Sequence, residues 1–555
     1  MSGAEPADAP AAERLGLWGR LREAGEGRLL PAVVSWLCCI VLGWFVAGVL
    51  VAPVAASTIY PRWQALVGAA VLVVGVIVAV GLSGGLVRWL EQHPWVRRGL
   101  GLLWLTALGA TMVRVGLAIW APTGWDSAMV EEWSYGMVHG GADSETLSWM
   151  INLYPNNSLL VAALTRWYEL CAAVGITGRA TGAVLITAMA MTAAFAIGYL
   201  TTRRVAGPTA GYVYAVLLTP FLAVSPYAAV AYSDTIGMLF PITIIYLFVR
   251  LLDADRLWVR GLLWLGIGVV FHLGYQVKPT VLFALLAVIG GGIAVTNWRR
   301  WTRPDLVRRA TAAVALAAGV GVSVVGSNLL ISPFGFAPEG EEVEHAMPFT
   351  HFLNMGAVRV ETPYGTHRWG GYNHPDVVEM INLPPEERSE HAVDSYLQRV
   401  EAMGPYGYAE FLNDKGNWVF GDGSFFAYGE GTMSAPDPGW VRNDARSTAI
   451  RDWVNLHGAH YPTVLLGWQV LWLAVLVLLV APVVAWPRGM FNLPSAAMRL
   501  SLVGLLVFLL LFEARPRYLY LYLPVFVALS SLTAVRVAGT LRRRSAPEQS
   551  APVEG

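Results

Sequence analysis

The chain has 555 residues, of which 55% are hydrophobic and only 14% charged, whereas soluble globular domains carry about 25% charged residues. Most of it therefore belongs in lipid, and an ordinary soluble enzyme is excluded. A formal net charge of +0, with no long basic run, offers nothing to nucleic acid.

Residues 1–29 are polar and rich in Ala, Pro and Gly, ahead of an apolar run too long for a cleaved signal peptide, and are expected to form a retained cytoplasmic tail. Apolar runs then fall near 30–53, 64–86, 98–120, 180–200, 209–226, 235–251, 259–276, 279–297, 308–331, 461–485, 494–512 and 517–538. Each is roughly the 17–25 residues a helix needs to cross hydrocarbon. About 12 spans follow, grouped as N-terminal (30–120), central (180–331) and C-terminal (461–538). Arginines test the count, because they should gather on alternate connections. Arg88, Arg97 and Arg98, then Arg203 and Arg204, Arg250 to Arg260, Arg299 to Arg309, Arg488 and Arg536 to Arg544 all fall on the side of Arg14, Arg20, Arg22 and Arg28. Both termini, including the tail 539–555, are therefore expected in the cytoplasm of a multi-pass plasma-membrane protein. Cys38, Cys39 and Cys171 form no disulfide framework.

The run 157–174 contains Arg166 and Glu169 and would break the alternation as a span, so it is expected as an amphipathic helix on the outer surface. Two outer segments are then long, 121–179 and 332–460. The second holds 19 acidic and 8 basic residues, making an acidic extracytoplasmic region. Gly and Pro punctuation argues for short helices and turns there, with a helix around 386–403. No internal repeat is evident.

Charged residues at the outer span boundaries carry the functional argument. Asp126 follows the third span within the sequence APTGWDS, and Asp234 opens a later span in YSDT. Either carboxylate is also compatible with a solvated acid or a helix N-cap. Lys278, in YQVKPT, is one of two lysines in the chain, the other being Lys415. Snorkelling to the interface is its plain alternative. Glu513, Arg515 and Arg517 stand in the last outer turn, FEARPRYLY, against the usual charge bias. Guanidinium and ammonium groups suit a phosphate; pairing of the arginines with Glu513 or Asp234 is the alternative. Two acids and three cations on one face suit transfer of a glycosyl group from a lipid phosphate. The leaving phosphate needs charge stabilisation, and the acceptor hydroxyl needs a base, for which Asp126 is the candidate. Single displacement inverts the anomeric carbon. No metal or other cofactor is indicated: His351, His367 and His374 lack compact ligand spacing and are expected to be solvated.

The acid in the first long outer loop, the Tyr154-Pro155-Asn156-Asn157 motif and the Tyr-Ser-Asp and Lys-Pro turns resemble the GT-C superfamily of integral-membrane glycosyltransferases. The nearest likeness is to the protein O-mannosyltransferase and aminoarabinose-transferase branch, including bacterial members with a YPNN segment. The resemblance covers about 100–375 and 510–525, and HFLNMG (His351 to Gly356) and GGYNHPD (Gly370 to Asp376) also look like those members. It implies an all-α polytopic GT-C-type bundle with outer-surface helices and a large extracytoplasmic loop region. It further implies Asp126 as base, Asp234 as a second site acid, and Lys278, Arg515 and Arg517 near the carrier phosphate. Tyr154, Asn156, Asn157, Tyr232, His351, Tyr372 and Asn373 would shape the sugar and acceptor pocket. The implied partners are a polyprenyl-phosphate-linked sugar, an extracytoplasmic glycan, lipid or protein acceptor, and the bilayer, with no nucleic acid. The chain departs from the pattern in two extra early spans and in Glu131 and Glu132 lying five positions beyond Asp126 rather than a directly adjacent Asp-Glu pair. A secondary transporter or a lipid-linked glycan ligase is the rival reading. The Arg-rich, Lys-poor composition points to a GC-rich genome and an actinobacterial envelope.

Overall fold

The fold comes from a computed structural model of the chain, which describes residues 19, 23, 25, 28–51, 60–142, 144–295, 302–334, 346–361, 367–428, 439–484 and 489–545. The expected tails lie largely outside these residues, as do Arg299 and Arg300 of the arginine cluster after residue 295. The helices, in chain order, are α1 (Leu29–Val51), α2 (Arg62–Leu82), α3 (Gly84–Gln92), α4 (Pro94–Ile119), α5 (Asp126–His139), α6 (Ser144–Leu153), α7 (Ser158–Ala173), α8 (Arg179–Ala206) and α9 (Pro208–Ala223). They continue as α10 (Ser233–Leu252), α11 (Leu257–Val277), α12 (Leu282–Val295), α13 (Arg303–Ile331), α14 (Phe349–Gly356), α15 (His374–Asn382), α16 (Pro385–Phe420), α17 (Ala445–Val454), α18 (Tyr461–Val480), α19 (Leu493–Leu511) and α20 (Leu523–Ser545).

Among the described residues, 10 helices are long and apolar enough to cross a membrane, and two shorter apolar ones, Pro208–Ala223 and Pro279–Ala294, occupy the two remaining expected spans. The chain is an all-α polytopic membrane protein. Among the described residues, the only strands are a two-stranded antiparallel pair, β1 (Arg359–Glu361) with β2 (His367–Trp369), in the large loop.

Burial sorts the helices into layers. The span Pro516–Arg543 is 83% buried within the protein and forms the centre, whereas Arg62–Leu82 is only 11% buried and shows its apolar side chains to lipid. Small residues let α11 and α13 meet closely: a Cβ on Gly268 would strike the Leu316 carbonyl and one on Gly319 the Leu265 carbonyl. Two polar side chains of α11 meet the same seam: His272 Nδ1 lies 2.9 Å from Ser323 Oγ, and Gln276 Nε2, near the helix end, donates to Ser327 Oγ at 3.3 Å.

The helix expected at 157–174 exists as α7. Its apolar face is buried, and Arg166 and Glu169 pair at 2.8 Å on its exposed face. The helix expected around 386–403 extends to Phe420, bent where Gly404 adopts φ 65 ahead of Pro405.

Candidate active site

Proline sets the local geometry of three candidate residues. A residue before proline is driven out of the helical region, and Tyr154, Lys278 and Arg515 each precede one. Accordingly α11 ends at Val277 with Lys278 extended (φ −152, ψ 110), and Arg515 is extended (φ −149, ψ 145) after α19 has ended. Each cation therefore leaves its helix axis at the end of a span. Tyr154 likewise stands just before the short 3-10 turn Pro155–Asn157 that leads into α7. Asp126 reaches the same end of the bundle by a different device: Gly124, at φ 75, reverses the chain after α4, so that Asp126 occupies the first position of α5. Trp125 is the N-cap residue, and no side-chain cap bond is made, so the N-cap reading of Asp126 is corrected. Asp234 is not an N-cap either. Tyr232 holds that place, and the Asp234 carboxylate points inward.

These turns meet in one charged cluster. Asp234 is 0% exposed. Its Oδ1 lies 3.0 Å from Lys278 Nζ and its Oδ2 3.6 Å from Arg517 Nε. Arg515 Nε donates to Glu513 Oε1 at 3.2 Å, and the Tyr518 hydroxyl donates to the same oxygen at 3.3 Å. Both arginines are thus internally paired, as the second reading of their sequence position allowed. Aromatic faces complete the cations' surroundings: the Arg517 guanidinium lies 3.9 Å from the centre of the Trp125 ring, and Lys278 Nζ lies 4.0 Å from that of Tyr518.

Asp126 differs from Asp234 in being exposed. Enough protein nevertheless surrounds it that desolvation pushes its carboxyl above the usual range; Glu513 adds to the rise, while Arg517, Arg515 and Lys278 oppose it. The same charge raises the hydroxyls of Tyr154, Tyr232 and Tyr372, each already raised mainly by burial. Those three tyrosines therefore lie within electrostatic range of Asp126. The Tyr232 hydroxyl donates to Asn157 Oδ1 at 3.4 Å, and the Tyr232 and Trp125 rings meet edge to face. Asn157 is buried, whereas Asn156 is exposed. Asn373 precedes α15 without capping it, and Tyr372 hydrogen-bonds His374 Nδ1 at 3.1 Å.

The histidine expectation needs correction. His351 is 0% exposed, and neither ring nitrogen has a hydrogen-bond partner. Burial pushes its pKa down, against Glu513 and Asp376. It is buried because HFLNMG folds as α14 and docks on the end of α19 instead of standing in water. His374 is exposed as expected, and the His367 side chain lies outside the described residues. Among the described residues, no group of three or more His, Cys, Asp or Glu forms a metal-binding set. Glu131 is buried against Arg179, with Nε to Oε1 at 2.9 Å, and accepts a bond from the Tyr168 hydroxyl, away from the cluster.

The two large-loop motifs hold the last turn in place. Glu513 N donates to the Phe352 carbonyl at 2.8 Å, and Ala514 N to the Gly370 carbonyl at 2.7 Å. Lys415, the second lysine, is 0% exposed and donates to the carbonyls of Gly356, Leu510 and Phe512 at 2.7, 3.0 and 2.6 Å. Burial pushes Lys415 down to about 7, while three carbonyl acceptors favour the ammonium, the one form with three N–H donors. Sequence reasoning gave Lys415, Trp125 and Tyr518 no role. Adjacency to Asp126 and Arg517 was the available signal for the two aromatics. Lys415 had only the rarity of lysine.

A family model described as "conserved hypothetical integral membrane protein" matches residues 53–537. The chain belongs to that family. The match begins just after α1 (Leu29–Val51) and ends within α20, and among the described residues the other candidate spans fall inside it. No curated protein matches the chain. Among solved structures it is similar to ArnT from Cupriavidus metallidurans bound to undecaprenyl phosphate, with 13% identity over 81% of each chain and a TM-score of 0.30.

Proposed function

We propose that this protein is an inverting glycosyltransferase of GT-C type. It moves a monosaccharide from a polyprenyl-phosphate donor to a hydroxyl of an extracytoplasmic acceptor in the cell envelope. The observation that carries the reading is an accessible carboxylate with a raised pKa, Asp126, set beside the cations Lys278, Arg515 and Arg517 at one end of the bundle. The arginine distribution argues that this end is extracytoplasmic and that both termini are cytoplasmic.

In the reaction, Asp126 accepts the proton of the acceptor hydroxyl as its oxygen attacks the anomeric carbon. The bond from that carbon to the phosphate oxygen breaks, and the electron pair leaves with polyprenyl phosphate. The added negative charge on phosphate is met by Lys278, Arg515 and Arg517. Asp234 orients Lys278 and Arg517, and its carboxylate keeps two buried cations tolerable before the donor arrives. Trp125 fixes the plane of the Arg517 guanidinium. In this reading Tyr154, Asn156, Tyr372 and Asn373 would hold the sugar and its acceptor, supported by the buried Asn157, Tyr232 and His351.

The test is Asp126→Asn, assayed for release of free polyprenyl phosphate from polyprenyl-phosphate sugars extracted from membranes. A general base contributes about 10²- to 10⁴-fold, and kcat should fall by that factor with the fold intact. Full activity in the variant removes the base and the reading with it.

A further inference from the structure

A cavity of about 450 Å³ lies away from Asp126, between the β1–β2 pair and the bend of α16. That is within the range of about 300–1,000 Å³ typical of small-ligand pockets. Its lining includes Arg359, Trp369, Arg399, Glu410, Phe411 and Asp414. Arg399 is already committed: Nη2 donates to Asp376 Oδ1 at 2.7 Å, and Nη1 to Asp376 Oδ2 at 2.9 Å and Asn354 Oδ1 at 2.7 Å. With that pair neutral, Arg359 faces Glu410 and Asp414, an acidic surplus. Desolvation first, and then Glu410, push the Asp414 carboxyl up, while Arg359 opposes them.

Such a lining discriminates by charge. Two carboxylates repel a phosphate or a uronic acid, but they accept hydrogen bonds from hydroxyls, which Arg359 can complement as a donor. Trp369 and Phe411 are largely buried and form the apolar floor of the cavity, with Arg359 lying over the Trp369 ring at 6.0 Å, so sugar hydroxyls would meet the charged groups while a ring edge rests on an apolar base. The walls also connect to the charged cluster. Trp369 is followed by Gly370, whose carbonyl accepts from Ala514 N, and Asp414 is followed by Lys415, whose ammonium holds the Phe512 carbonyl.

The geometry points to a binding site for a neutral oligosaccharide in this cavity. The binding stands on the lining alone. That the sugar bound there is the acceptor end of an envelope glycan rests on the proposed transferase reading.

The experiment uses the full chain in detergent micelles and saturation-transfer NMR with cellobiose and an α-linked mannobiose as neutral probes, and glucose 1-phosphate as the anionic one. At least one neutral disaccharide should bind saturably. Glucose 1-phosphate should bind at least about tenfold more weakly, since the site's acids leave its phosphate unpaired. E410Q/D414N should weaken the neutral disaccharide by a similar factor. Gly407→Trp is a second variant that leaves the charged groups alone: a Cβ at Gly407 meets nothing nearer than Met403 at 3.6 Å, so the ring enters the cavity and blocks binding. Absence of binding by both neutral probes, equal binding of glucose 1-phosphate, or undiminished binding in Gly407→Trp overturns the site. Asp126→Asn should bind the disaccharide normally. Loss of transfer in that variant with no disaccharide binding by the wild type would therefore sink the cavity and leave the transferase standing.

Discussion

Replacing Lys415 by Met tests how the charged turn is held. The ammonium satisfies three carbonyls, and two of them, Leu510 and Phe512, lie at the end of α19 where no helical N–H follows. An unsatisfied buried acceptor costs about 1–3 kcal/mol, so three amount to roughly 3–9 kcal/mol. Methionine has no ammonium to desolvate, which returns several kcal/mol. The net local loss is about 2–5 kcal/mol, equivalent to roughly 30- to 4,000-fold in an opening equilibrium. Hydrogen exchange reads this directly without any substrate. The amides of Glu513 and Ala514, which donate to Phe352 and Gly370, should lose protection by that factor, while α8 and α18 should not change. Unaltered protection at Glu513 and Ala514 in the Met variant refutes the idea that Lys415 anchors the turn.

The acid side of the kcat/KM profile should reflect Asp126. The base works ionised, and desolvation by the surrounding protein raises its pKa, so activity should rise with pH through a value above the ordinary carboxylate range. Glu513→Gln removes a charge that raises Asp126 and should move this limb down, whereas Arg517→Gln removes one that lowers it and should move the limb up. A limb that stays put in both variants assigns it to another group. Asp234→Asn strands Lys278 and Arg517 and should destabilise the fold by about 3–5 kcal/mol; adding Lys278→Met should recover part of that in a thermal melt. Gly370→Ala should lower the melting temperature, because Gly370 holds φ 64 and a Cβ there would sit 2.6 Å from the Gly356 carbonyl and against Lys415 Nζ.

Much of the fold was legible because lipid is an unforgiving solvent. A backbone crossing hydrocarbon must satisfy its own hydrogen bonds, so a long apolar run has one outcome, and the expected spans each found a helix. The X-Pro pairs at Tyr154, Lys278 and Arg515 were equally readable, since the exclusion before proline is local. Solvation was the weak point. His351 looked like a loop histidine, and its burial depends on α14 docking against the end of α19, a contact more than 150 residues away in sequence. Separations of 59, 95 and 97 residues likewise hid Lys415, whose three acceptors come from α14 and the end of α19.

By itself the sequence determined that this chain lies in a membrane, where its helices run, and which turns carry charge, because hydropathy and proline act over a few residues. Only the tertiary structure decided that Asp234 is locked between Lys278 and Arg517 while Asp126 stays open. Two carboxylates at matching sequence positions acquire different environments through the packing of distant helices, and no local pattern encodes that packing.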